Sequence, residues 1–467
     1  MTTDVVPNRT FAEIEVGDSS SLTRVIAQQD IELFAALTGD ANSTHLTAPR
    51  QPEGGPLPTA HSMLGASLIS TLLGTHLPGA GTTYAGQTLR FERPVQAGDA
   101  LTVSVTVKEK RDADSRIWLG CRGTNQRDEL VFDGVAEVTA PAGKLWISPG
   151  DLPEAVLHRH SNYDRLIARC AGQRRVPCAV THPCDAAALS GALEAWKQGL
   201  ILPILVGPTA RIRGVAAEAG LELGELEIVD TPHSHASAAR AVELVRDGQA
   251  ELLMKGSLHT DELMSAVVAR EGGLRTGRRI SHVFIMDVPT YPEPLFITDA
   301  AINILPDLAT KADIIRNAID LHRGLGLGAP RVALLSAVET VNPKIPSTLD
   351  AAALCKMADR GQIVGGILDG PLALDNAISP AAARIKGIVS EVAGRAQVLV
   401  VPDLEAGNML AKNLSFLSGA DAAGIVLGAR VPIILTSRAD NERARLASCA
   451  VAALYAEHLI LQAGPRA

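Results

Sequence analysis

From about residue 200 onward the chain repeats one local design: a short, unbroken apolar run followed by an Ala-rich stretch with helical spacing. The runs are I-L-P-I-L-V-G (201–207), A-E-L-L-M-K-G (250–256), S-H-V-F-I-M-D-V (281–288), R-V-A-L-L-S-A-V (331–338), I-V-G-G-I-L-D-G (363–370), A-Q-V-L-V-V-P-D (396–403) and V-P-I-I-L-T-S (431–437). A strand without polar alternation must be hidden on both faces, so helices cover both sides of a parallel sheet. The chain before about residue 145 has a different texture. Residues 83–138 alternate apolar and polar side chains with the period of antiparallel strands, split by Q-A-G-D and R-D-A-D-S. Ahead of them H-S-M-L-G-A-S-L-I-S-T-L-L-G (61–74) has helical periodicity. One helix followed by a meander predicts a sheet wrapped around a buried helix. A-P-A-G-K (140–144) and the acidic, proline-containing S-P-G-D-L-P-E (148–154) separate the textures, giving units over 1–143 and 150–467.

Composition excludes several classes of function. A net charge of -8 and 3% aromatic residues argue against nucleic acid, which calls for a basic face and stacking rings. No apolar run approaches the roughly 18 residues of a membrane span, and the N-terminus has no signal-peptide pattern. The expectation is a soluble, cytoplasmic protein with no membrane partner. The six cysteines form no CxxC pair. Cys178, His182 and Cys184 lack a fourth ligand, as does the His233/His235 pair, so no metal is expected. G-L-G-L-G-A-P (324–330) has dinucleotide-type glycines but precedes a strand, the reverse of the order such a site needs. No phosphate-loop motif occurs either, so neither NAD nor ATP is supported.

Two constellations carry chemistry. In T-G-D-A-N-S-T-H (38–45) Asp40 and His45 are five residues apart, too far for one helical face. A loop leaving the F-A-A-L helix must fold back to join them. A carboxylate and an imidazole around one water can remove a proton and deliver another. Asp, Asn and Thr at such positions also make ordinary turns and caps. The run from Phe34 to His45, then A-H-S-M-L-G-A-S (60–67), then Y-A-G-Q-T-L-R-F-E-R-P-V followed by G-D (84–99), resembles the MaoC-like, (R)-specific enoyl-CoA hydratases of the hot-dog fold. The likeness covers roughly residues 10–140. It implies Asp40 and His45 as the water-holding dyad, Asn42 as its orienting neighbour and Ser67 as a supporting hydroxyl. It also implies the Ser62 N–H, at the helix start, as donor to the thioester carbonyl. Ser43 stands where that family usually has Pro, and Ser62 where it has Gly.

The second constellation lies at strand ends: M-K-G-S-L-H-T-D-E-L (254–263), L-D-G-P-L-A-L-D-N-A (368–377), V-P-D-L-E-A-G-N (401–408) and L-T-S-R-A-D-N-E (435–442). Ligands of open parallel sheets bind outside the carboxyl ends of strands. Arg438 opens a helix after V-P-I-I-L-T-S, where a guanidinium and a helix terminus can hold phosphate together, while Ser437 can cap that helix or bond an acyl phosphate. Lys255 and His259 are candidate ligand contacts or solvated residues. Asp403, Glu405 and Asn408 are ligand contacts or helix-capping residues. Arg275, Arg278 and Arg279 form a basic run that can grip CoA phosphates or be solvated. With S-A-V-E-T-V-N-P-K-I-P-S-T (336–348), these motifs resemble the phosphate acetyl- and butyryltransferases over about 155–460. That likeness implies two α/β lobes, lobe 1 over about 155–290 and 430–467 and lobe 2 over about 291–429. It assigns Arg438 to phosphate charge and Ser437 to substrate support. Acetyl-type relatives place a thiol base at the position of Ala444, leaving Asp375, Asp440 or Glu442 for that role.

The combined expectation is an α+β hot-dog domain joined to a two-lobed acyltransferase. It would hydrate short trans-2-enoyl-CoA and move acyl groups between CoA and phosphate, with no tightly bound cofactor. A homo-oligomer, dimer or higher, is expected, because the hot-dog helix is covered on one side only. The alternatives are a non-catalytic acyl-CoA-binding or assembly role for the first domain, or a nicotinamide-dependent dehydrogenase.

Overall fold

The computed structural model describes residues 6–45, 58–147, 161–435 and 441–463. The chain divides into two compact units, Met1–Leu157 and His158–Ala467. In the first, β1 (Val6–Pro7) pairs with β7 (Trp146–Ile147). Its main sheet is antiparallel and holds β2 (Ser19–Val25), β3 (Thr83–Phe91), β4 (Ala100–Arg111), β5 (Arg116–Thr124) and β6 (Leu130–Thr139) in the order β2-β4-β5-β6-β3. Helix α1 (Gln28–Thr38) precedes the central helix α2 (Ser62–Thr75).

Period-two alternation determines which face of this sheet meets α2. Leu101, Val103, Val105 and Val107 of β4, with Ile117 and Leu119 of β5, are at most 1% exposed, while the residues between them face outward. They pack against Leu68, Ile69, Leu72 and Leu73 of α2. Each fully buried leucine contributes about 1.5–3 kcal/mol. Gly65 lets the helix approach closely, since a Cβ there would lie 3.0 Å from Leu101 Cδ2. This is the hot-dog arrangement expected from the sequence.

Among its described residues the second unit carries one mixed sheet of 11 strands. They are β8 (Val176–Thr181), β9 (Ile201–Gly207), β10 (Ile228–Asp230), β11 (Leu252–Lys255), β12 (Ser281–Asp287), β13 (Leu295–Thr298), β14 (Arg331–Leu335), β15 (Ile367–Leu372), β16 (Val398–Val400), β17 (Asp421–Leu427) and β18 (Ile433–Ile434). The spatial order is β10-β9-β8-β11-β18-β17-β12-β13-β16-β14-β15. Helices α3 (Ser161–Arg169), α4 (Ala186–Lys197), α5 (Thr209–Glu218), α6 (Ser234–Arg246), α7 (Thr260–Val267), α8 (Leu308–Gly324), α9 (Pro346–Asp359), α10 (Leu374–Ile378), α11 (Pro380–Ile385), α12 (Leu404–Leu417) and α13 (Glu442–Ala463) accompany it.

The sheet is not parallel throughout. β17 pairs antiparallel with both β18 and β12, and β12 antiparallel with β13. The connections explain this: only residues 288–294 join β12 to β13 and 428–432 join β17 to β18, whereas a parallel crossover needs a dozen or more residues. The block β8–β11 with β18 therefore runs opposite to the block β13–β16, and the carboxyl ends of the two blocks lie at opposite edges. A second departure concerns α13, which is long and apolar enough to cross a membrane by length and composition, contrary to the reading that no such segment exists. Of its most apolar window 61% is buried inside the protein, and it packs on β17, α3 and α4, as a core helix does.

Candidate active sites

Gly39 ends α1 in the left-handed region (φ 73°, ψ 10°), its N–H donating to Ala35 O. The loop that follows is tied by its own side chains. Asp40 Oδ1 accepts the Asn42 N–H at 3.1 Å, and Asn42 Oδ1 accepts both the N–H and the hydroxyl of Thr44 at 3.1 Å. Asn42 thus commits its side-chain carbonyl to the loop. His45 N–H donates to Asn42 O at 3.0 Å, which turns the imidazole back toward α2. There Thr59 O accepts from His45 Nδ1 at 2.6 Å. A carbonyl only accepts, so Nδ1 carries the proton and Nε2 keeps its lone pair. That is the tautomer a general base needs.

A third group joins the pair. His61, the residue preceding α2, is 5% exposed and lies between the rings of His45 (centroids 3.7 Å apart, stacked) and Phe34 (5.1 Å, tilted). Its Nε2 is 3.7 Å from Asp40 Oδ2, beyond hydrogen-bond reach, and neither ring nitrogen has a hydrogen-bond partner among the described residues. Sequence reasoning missed His61 because its partners are far along the chain and no fixed spacing links them. Ligand atoms of Asp40, His45 and His61 all lie within 4.8 Å of one another. The two imidazoles are stacked at 28°. The amides of Ser62 and Met63, at the start of α2, have no backbone partner among the described residues. Ser67 stands apart: its exposed hydroxyl donates to Leu64 O at 2.6 Å, within its own helix.

In the second unit Lys255 ends β11, half-buried, with Nζ 3.3 Å from Gly256 O. Gly256 is required there, since a Cβ would collide with the carbonyl oxygens of Thr181 and of His182, the latter at 2.6 Å. Around it gathers a polar cluster that the sequence did not single out as a site. Ser257 Oγ donates to His182 O at 2.9 Å and accepts the Cys184 N–H at 3.0 Å, and His182 Nδ1 lies 3.0 Å from Ser237 Oγ. Burial holds the His182 imidazole below its ordinary pKa and lifts the Cys178 and Cys184 thiols above theirs. His259 precedes α7, exposed, without a side-chain cap bond. β18 pairs with β11 at Met254, so β18 leaves the sheet beside Lys255. Ser437, Arg438 and Asp440 themselves lie outside the described residues.

The other candidates sit on the opposite block. Asp403 caps α12, Oδ1 accepting the Ala406 N–H at 2.9 Å, and Asn408 Nδ2 donates to Ala300 O at 3.3 Å. Glu405 and Asp375 are exposed in the first turns of α12 and α10. Because the two blocks run in opposite directions, these four residues leave the sheet at the edge opposite Lys255. The structure does not bring the two groups together through their strand ends. Ala444 is buried in the first turn of α13, its N–H held by Asn441 Oδ1 at 2.8 Å, and Glu442 is exposed.

The chain's likeness to known proteins follows this division. The phosphate acetyl/butaryl transferase family model matches residues 233–453 and the MaoC like domain model residues 12–123. The phosphate acetyltransferase of Rhizobium meliloti is 70% identical over 296 residues, which is 63% of this chain and 94% of that protein. A branched-chain phosphotransacylase from Enterococcus faecalis V583 is 30% identical with a TM-score of 0.54, over 61% of this chain and 99% of that one. The R-hydratase PhaJ1 from Pseudomonas aeruginosa is 42% identical with a TM-score of 0.31, over 33% of this chain and 99% of that one. A relative this similar along nearly its whole length leaves one conclusion: behind a MaoC-like hot-dog domain, the chain belongs to the phosphate acetyl- and butyryltransferase family.

Proposed function

We propose that the C-terminal unit transfers an acyl group reversibly between CoA and phosphate. The observation that carries this is the 70% identity along 94% of a phosphate acetyltransferase. In the reaction the CoA sulfur–acyl bond breaks, a phosphate oxygen bonds the acyl carbon, and the thiolate leaves as CoA. Lys255, beside the exit of β18, and Arg438 supply positive charge for the phosphate and for the oxyanion that develops. The test measures CoA release from acetyl- and butyryl-CoA with and without phosphate. Release that ignores phosphate for both thioesters sinks the reading.

For the first unit the reading is hydration of a short trans-2-enoyl-CoA to the (R)-3-hydroxyacyl-CoA. The support is His45, whose tautomer leaves Nε2 free and which clusters with Asp40 and His61, their ligand atoms within 4.8 Å of one another. Nε2 takes a proton from water as its oxygen bonds C3. The electron pair shifts through C2 to the thioester oxygen, facing the Ser62 and Met63 amides, and the dyad returns a proton to C2. Ser67, turned to Leu64 O, favours a second reading in which this domain binds acyl-CoA without turnover. Asp40→Asn decides: hydration of crotonyl-CoA falls about 10²–10⁴-fold if the dyad is catalytic. Absence of hydration in the wild type leaves the binding module.

A homo-oligomer completes the reading. Met409, Phe416 and Leu417 of α12, with Ile304 and Leu305, are 64–80% exposed, an apolar face that self-association would cover. Sedimentation of an active monomer overturns it.

A further inference from the structure

We propose that the cavity beside the R-T-G-R-R loop (275–279) is a binding site for an adenosine phosphate, whether a free nucleotide or the 3′-phospho-ADP end of CoA. The cavity, about 520 Å³, lies at the start of β12 between the end of α7 and α8, within the size range of small-ligand sites.

The loop is braced, and two of its three arginines make no ion pair among the described residues. Thr276 Oγ1 donates to Gly428 O at 2.6 Å, the backbone of Arg275 bridges to Ala429, and the Arg279 N–H donates to Asp313 Oδ2 at 3.0 Å. The Arg279 carbonyl accepts from Asn317 Nδ2 at 2.9 Å. Arg278 is neutralised by Asp320, and Asp313, the carboxylate on the cavity wall, is paired with Arg316 at 2.7 Å. The exposed side chains of Arg275 and Arg279 make no ion pair among the described residues. In a chain of net charge -8, two guanidinium groups on one braced loop, Arg275 and an Arg279 whose charge also reaches the Asp307 carboxylate, are a forked donor set for phosphate oxygens.

Asn303 narrows the ligand from a bare anion to one that also carries a hydrogen-bond donor. Its Nδ2 donates to Ile280 O at 2.9 Å and to Asp299 Oδ2 at 2.6 Å, both of which are acceptors there, so the amide cannot be reversed. Asp299 is itself fixed, 2% exposed and accepting the N–H groups of Ala301, Ile302 and Asn303. Asn303 Oδ1 is the remaining polar atom of a residue lining the cavity, an acceptor with no donor among the described residues. A bare phosphate dianion repels it. A ligand with an amino or hydroxyl donor beside its phosphate satisfies both, and Val268 and Ile302 give the wall apolar surface for a base.

The inference stands apart from acyl transfer, because binding is read without turnover. Calorimetry on the full chain uses adenosine 3′,5′-bisphosphate, ADP and inorganic phosphate as probes. At least one nucleotide binds the wild type, and Arg275→Ala/Arg279→Ala weakens it at least about tenfold, with the thermal unfolding midpoint unchanged. If the double variant also raises KM for CoA, the occupant is the CoA end; an unchanged KM identifies a free nucleotide. Equal nucleotide affinity in wild type and variant, no nucleotide binding, or inorganic phosphate binding as tightly as both nucleotides overturns the assignment.

Discussion

Burial of one histidine sets an acid limit on the second unit. His282, in β12, is 1% exposed, packs edge-on against Phe284 with centroids 4.4 Å apart, and has no partner for Nδ1 among the described residues. Desolvation pushes its pKa from 6.5 down to about 3. Between those values the unfolded chain binds a proton that the folded chain refuses, so stability is full above about pH 6.5 and is lost as pH falls toward 3. At about 1.36 kcal/mol per pKa unit the whole interval is worth about 5 kcal/mol, and the step from pH 7 to pH 5 about 2 kcal/mol. His282→Phe keeps a ring in the site and removes the titration. Urea unfolding followed by circular dichroism at pH 7 and pH 5 should show the wild type losing about 2 kcal/mol more than the variant over that step. His182 and His322, also held low by burial, contribute with the same sign but are present in both proteins and cancel. Equal losses would refute the reasoning, since His282 would then accept its proton in the fold.

Gly256→Ala drives a methyl into the Thr181 and His182 carbonyls, and should cost at least about 1–3 kcal/mol in urea unfolding while lowering acyl transfer through the adjoining Lys255. Leu72→Ala, in the wholly buried face of α2, should lose about 2–5 kcal/mol from the first unit. Native thiols should resist a disulfide reagent at pH 8, because five of the six cysteines are buried, and burial lifts Cys121 and Cys170 to about 11 and Cys355 and Cys449 to about 12. Rapid labelling of more than one thiol in the folded protein would contradict that burial.

What could be read beforehand was whatever local pattern decides. L-T-V-S-V-T-V alternates, so β4 and the face it turns to α2 were legible, and the long apolar helix after His61 followed from its periodicity. β2 was not, because S-S-S-L-T-R-V is an edge strand with largely exposed side chains and no alternation to detect. The direction of β12 and β17 depends on the length of their connections rather than on apolar content, and V-P-T-Y-P-E-P is a turn signal too short for a crossover. In the first site the Asp40–His45 pair lay within one octapeptide, whereas His61 enters only because Thr59 folds back to accept His45 Nδ1. The Asp299–Asn303 turn was invisible for the same reason: its meaning lies in bonds to Ile280 O and to its own backbone.

The reversal between the two blocks makes a sharp claim about Asp403, a ligand candidate by its motif and a helix cap by its geometry. Its Oδ1 accepts the Ala406 N–H, and its strand ends at the edge opposite Lys255. A cap needs a short side-chain acceptor, which asparagine supplies as well as aspartate, whereas a phosphate- or thiol-directed role depends on the negative charge. Asp403→Asn should therefore leave both stability and phosphate-dependent CoA release near the wild-type level. Asp403→Ala should lose about 1 kcal/mol of stability, with turnover per folded molecule preserved. Lys255→Ala should do the reverse, lowering turnover with little change in unfolding. A large loss of turnover in Asp403→Asn would mean that its charge reaches the substrate, and that the two edges of the sheet serve one site after all.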